Sequence, residues 1–121
     1  MNTKRMNNLK LLKDATGGET EVMKEVIEMF IEQLPKLRNG FRQHLQNRQW
    51  KELSDTARIA KSSVMTFGLT ELATHLKQLQ MKIFKQIAID SHSAYIEEFE
   101  AVTSAAEVEL NAESYKLRSA N

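Results

Sequence analysis

Apolar residues recur every third or fourth position through most of the chain, in blocks separated by short polar or glycine-containing breaks. That spacing is the mark of helices with one buried stripe. A short first helix is expected from about Met6 to Ala15, with Leu9 and Leu12 on one side, stopping at Gly17-Gly18, where glycine accepts the left-handed cap conformation. Glu19 and Glu21 favour a new helix start. The second helix carries Met23, Val26, Ile27, Phe30, Leu34, Leu37, Phe41 and Leu45 on one stripe and runs to about Gln46. Pro35 falls inside it; because the stripe keeps its phase on both sides, a kink is expected there rather than a stop. Gly40 weakens the same helix and would permit close packing.

After the polar break Asn47-Arg48-Gln49, a third helix places Trp50, Leu53, Ala57, Ala60, Val64 and Phe67 inward, and Gly68 ends it. A fourth starts near Thr70, read as its N-cap, and buries Leu72, Leu76, Leu79, Ile83 and Ile87. Asp90-Ser91-His92-Ser93 supplies cap residues for a last helix with Tyr95, Phe99, Val102, Ala106 and Leu110 inward, whose polar end from Asn111 on is expected to fray. Four long helices with short connections pack most simply as an all-α, antiparallel up-down-up-down four-helix bundle, the short additional N-terminal helix covering one end. The 121 residues suffice for one domain, 1–121, and are too few for two; its ends, 1–5 and about 112–121, are the segments expected to loosen.

Composition narrows the function. The formal net charge is +1, far from the strong basic field of a nucleic-acid binder, and Lys4, Arg5, Lys10 and Lys13 come without aromatic interleaving, as a solvated helix face would. No cysteine is present, which removes disulfides, thiolate nucleophiles and cysteine-held metals. No apolar run is long enough for a signal peptide or a bilayer span. The expectation is a soluble cytoplasmic protein that binds neither nucleic acid nor membrane.

Cofactor chemistry finds little footing. A di-iron bundle needs paired Glu-x-x-His motifs, whereas Glu71 and His75 stand four apart and alone, and His44, His75 and His92 lie on separate segments. No glycine loop could cradle a phosphate. No cofactor, no metal and no enzymatic activity are expected. Met23, Met29 and Met81 read as core fillers, with Met65 the exposed exception.

The informative stretch is Thr56-Ala57-Arg58-Ile59-Ala60-Lys61-Ser62-Ser63-Val64-Met65-Thr66-Phe67-Gly68-Leu69. With Ala57, Ala60 and Val64 inward, helical geometry turns Arg58, Lys61, Ser62 and Met65 outward as a compact cationic and partly apolar patch. The stretch resembles histidine-containing phosphotransfer (HPt) domains, which carry Ala-His-x-Leu-Lys-Gly/Ser-Ser and a glycine several residues on. The match runs through Ala57, Lys61, Ser62, Ser63 and Gly68, with Ala60 at the leucine position and Arg58 at the histidine position. Gly17-Gly18-Glu19, Phe30 through Pro35, Trp50, and Leu72 through Leu79 resemble the flanking segments, so the likeness spans roughly Leu9 to Gln86 in short pieces.

The resemblance implies a two-component phosphorelay module whose partner is the receiver domain of a response regulator or a histidine kinase. In the family the histidine takes and passes on a phosphoryl group, which requires a nitrogen lone pair. A guanidinium only donates hydrogen bonds, so Arg58 cannot attack phosphorus. The resemblance therefore implies a pseudo-phosphotransfer protein that docks through Arg58, Lys61, Ser62 and Met65 without accepting phosphate there. Three alternatives stay open: Arg58 as half of a surface ion pair with Asp55, worth about 0.5 kcal/mol; a helical adaptor unrelated to phosphorelay; and His75, on the neighbouring helix, as a relocated phosphoacceptor. For His75 the plainer reading is a boundary histidine with an ordinary hydrogen bond, and for His44 and His92 a surface or cap role near a helix end. The oligomeric state stays open, with Ile59 and Met65 as exposed apolar residues.

Overall fold

The breaks in the apolar pattern become the turns of the chain. In a computed structural model describing residues 9–119, Gly17 and Gly18 hold φ angles of 69° and 78° and close α1 (Leu9–Thr16), with the Gly18 N–H bonded back to the Lys13 carbonyl at 2.9 Å. Then follow α2 (Thr20–Gln46), α3 (Trp50–Thr66), α4 (Thr70–Lys85), one 3₁₀ turn (Ile89–Ser91) and α5 (His92–Ser119). The fold is all-helical, with no strand among the described residues. The expected start of the first helix at Met6 lies outside the described residues.

The expected stripes form the core. Ile27, Phe30, Leu34, Leu37 and Phe41 of α2 meet Leu53, Ala57, Ala60 and Val64 of α3, with Leu72, Leu76, Leu79 and Ile83 of α4 closing the interior. Phe30 stacks on Phe67 with ring centroids 4.3 Å apart, and Phe41 meets Phe99 edge-on at 5.0 Å. Along the chain α2 packs on α3, α3 on α4 and α4 on α5, and α2 also packs on α5. Polar ties sit at the α2–α5 seam: the Arg38 guanidinium donates to Thr103 Oγ1 (3.2 Å) and Glu107 Oε1 (2.6 Å), and Arg42 clasps both oxygens of Glu100 (2.8 and 2.7 Å). That bond to Arg42 holds the Glu100 carboxyl below its ordinary pKa.

Several expectations need correction. Thr70 is the first helical residue and makes no cap bond to the backbone ahead of it; Leu69 holds the cap position and is buried. Ile87 lies beyond α4, which ends in a left-handed Gln86 (φ 57°), and it is 48% exposed. Met29 and Met81 face outward rather than filling the core, because each sits off the stripe that buries its helix. α5 continues past Asn111 to Ser119, with Ser114 buried and donating to Glu28 Oε2 of α2 at 3.1 Å. As expected, helix α2 runs through Pro35 without a stop. Gly40 does not mark an approach too close for a side chain. A Cβ there would meet Thr56 of α3 at 3.7 Å, an ordinary contact. Gly40→Ala should therefore stabilise the protein by about 0.5–1 kcal/mol through helix propensity alone; a lower urea midpoint than wild type would contradict this.

His92 departs furthest from expectation. It begins α5 yet is 1% exposed, its ring meets Trp50 edge-on at 5.8 Å, and neither ring nitrogen has a hydrogen-bond partner among the described residues. Burial pushes its pKa below the ordinary 6.5 and the Lys82 cation adds to the effect, while the nearby Ile87 carbonyl opposes it from outside full hydrogen-bond geometry. The unfolded chain then binds this proton more readily than the folded one. Stability is full above about pH 6.5 and declines as the pH falls toward the lowered folded value. Thermal unfolding at pH 7.5 and 5.5 should show a lower midpoint at the acidic value, and His92→Phe should flatten that difference.

Candidate protein-docking site

Helix α3 is rotationally fixed by what it buries and by one polar tie. Ala57, Ala60 and Val64 are fully buried, and the Ser63 hydroxyl donates to Gln33 Oε1 of α2 at 2.8 Å. The opposite side of the helix must then face solvent. Arg58, Ser62 and Met65 are exposed there, Met65 by 48%, and Lys61 lies half-buried at the edge. Spacings of three, four and seven residues place these four side chains along one stripe of about two turns.

Among the described residues Arg58 has no ion-pair or hydrogen-bond partner. The pairing with Asp55 considered from the sequence is not formed: Asp55 Oδ2 instead accepts from Lys51 Nζ at 3.2 Å, from one turn earlier on the same helix. The guanidinium and the Lys61 ammonium thus present donors to solvent with no acceptor of their own, an arrangement suited to a carboxylate or phosphate from outside. On the α2 side of α3, across the helix from Arg58 and Met65, runs an open groove bordered by Met29, Glu32, Gln33, Lys36, Ser63 and Thr66.

The histidines are dispersed. His75 Nδ1 lies 2.7 Å from Glu98 Oε2 and so bridges α4 to α5, while His44 Nδ1 lies 3.0 Å from Gln49 Oε1 at the α2–α3 turn. His92 is interior, against the expectation of a surface or cap role, because its ring fills the space beside Trp50. No group of three or more acidic, histidine or cysteine side chains placed to hold a metal occurs among the described residues. No helix among them is long and apolar enough to cross a membrane.

Sequence reasoning placed the outer stripe but missed what sets it. Ser63 entered only as a motif residue, although it stands seven residues, two turns, beyond Thr56, which faces Gly40 of α2. That spacing alone marks Ser63 as facing the same neighbour. Comparison with family models, with curated proteins and with solved structures returned no match. An exposed, unpartnered Arg58 owes nothing to the fold. Arg58→Ala should leave the unfolding free energy within about 0.5 kcal/mol of wild type, and a larger loss in chemical denaturation would show that Arg58 serves the bundle instead.

Proposed function

We propose that the chain is an HPt-like signalling module, an antiparallel up-down-up-down four-helix bundle that docks on a receiver domain or a histidine kinase and takes no phosphate at Arg58. The order of the cross-helix pairs supports the arrangement. Going up α2 through Glu28, Arg38 and Arg42, the partners on α5 descend through Ser114, Glu107 and Glu100. From α4 to α5 and the 3₁₀ turn ahead of it the same reversal runs His75 to Glu98, Gln78 to Tyr95 and Lys82 to Ser91. From α2 to α3 it runs Phe30 to Phe67, Gln33 to Ser63 and Gly40 to Thr56.

One observation carries the functional reading: the residue standing where the resembled family has its phosphoacceptor is a solvent-exposed guanidinium without a partner among the described residues. The receiver domains that partner the resembled family have acidic phosphorylation pockets, and two cations one turn apart complement them. With no lone pair at Arg58, the complex holds without group transfer. Incubation with a panel of phosphorylated receiver domains should give stable association and no phosphoprotein; acid-labile phosphate on the wild-type chain would overturn the reading. Arg58→His should confer phosphate uptake, and charge reversal at Arg58 and Lys61 should abolish binding. Binding untouched by that reversal would instead identify an adaptor using another face.

A specific contact favours one other reading. Glu98 holds His75 at Nδ1, leaving Nε2 as the free nitrogen of a ring whose side chain is 33% exposed. A phosphoprotein that His75→Ala abolishes would assign the acceptor to α4.

A further inference from the structure

The largest exposed apolar side chain that packing leaves unexplained is Phe84, 83% exposed in the last turn of α4, with Met81 on the same side at 47%. An aromatic this bare on a helix whose Leu72, Leu76, Leu79 and Ile83 are all buried marks a contact surface. Its position relative to Arg58 follows from helix geometry. On α3, Thr56 and Ser63 face α2, and each residue two positions further is rotated by about 200°. Those residues are Arg58 and Met65, which therefore lie on the flank next to α4. On α4, His75 bonds Glu98 and Lys82 stands over the Tyr95 ring, both of α5, and the residues two positions further, Lys77 and Phe84, lie on the flank next to α3. Three residues join α3 to α4, so position 58, eight back from Thr66, stands level with position 78, eight on from Thr70. Arg58, Met65, Lys77, Met81 and Phe84 consequently share one face over the α3–α4 seam.

We infer that the docking surface of the proposed function continues from α3 onto α4, with Phe84 as its apolar anchor and Lys77 extending its cationic centre. The inference rests on that function and names the partner's chemistry: an acidic protein surface with an apolar recess about two helical turns from its carboxylates. Charge decides the occupant. Arg58 and Lys77 are exposed, Lys61 is half-exposed, and Asp55, the acid one turn before Arg58, is already engaged by Lys51. A second copy of this chain docking through the same face would oppose cation to cation. A partner with complementary acids meets no such penalty, and an aromatic anchor beside arginine is the composition of an interface centre.

The test uses the full chain and the receiver or kinase domain that binds it, with affinity measured by calorimetry for Phe84→Ala, Lys77→Glu and Arg58→Glu. Phe84→Ala should weaken binding by about 30-fold, the scale of truncating an anchor, and Lys77→Glu by about 10-fold. Both substitutions should leave the thermal midpoint unchanged. Amide exchange in the complex should show protection across both 58–65 and 77–85. Phe84→Ala binding within twofold of wild type, while Arg58→Glu loses binding, would overturn the α4 extension and leave the proposed function standing. Failure of every receiver and kinase domain to bind the wild-type chain would remove both. Phe84-dependent binding to phosphatidylserine vesicles, or Phe84-dependent dimerisation in sedimentation, would reassign the face and overturn the acidic-protein partner.

Discussion

The rotational setting of α3 is the constraint from which the rest follows. Two fully buried alanines, Ala57 and Ala60, give the helix a flat inner side that packs close against its neighbours, and Leu53 and Val64 extend that side along the axis. Any roll of the helix would bring a charged side chain inward or expose the alanine seat, and the Ser63–Gln33 bond resists the same motion from the flank. The outward stripe is therefore a by-product of packing. A cation at position 58 is presented to solvent at no expense to the core, leaving that position free to be set by partners.

The bundle balances this apolar centre with charged ties placed where they are half-screened. Arg38 and Arg42 bind α5 from α2 through hydrogen-bonded carboxylates, and Arg38 also donates to the buried Thr103, whose hydroxyl in turn donates to the Phe99 carbonyl at 2.6 Å. Such ties contribute modest net energy. Their directionality fixes the register of α5 against α2 more tightly than interchangeable leucines would.

Much of the helical layout was legible because its signals are local. Stripe spacing and the glycines at 17, 18 and 68 located the helices to within a few residues. The misses arose where tertiary contacts overrode polarity. Asn111 onward reads as a fraying end, yet Ser114 is buried because α2 offers Glu28 to its hydroxyl. Asp90 through Ser93 reads as a solvated cap, yet Trp50, forty-two positions before His92, covers that ring. Ile87 fits the periodicity of α4 but falls after Gln86 has already turned left-handed, a backbone choice that no side-chain pattern announces. At the candidate site the outward placement of Arg58, Ser62 and Met65, with Lys61 at the edge, was readable from helical spacing. The capture of Asp55 by Lys51 was not, since either cation stands one turn from that acid.

The contact between Trp50 and His92 also equips the molecule with its own optical gauge. The chain contains a single indole, so its emission arises from one known place, the corner where the third helix begins and the fifth is seated. Intrinsic fluorescence can therefore follow that corner apart from the α3 stripe, without dye or label.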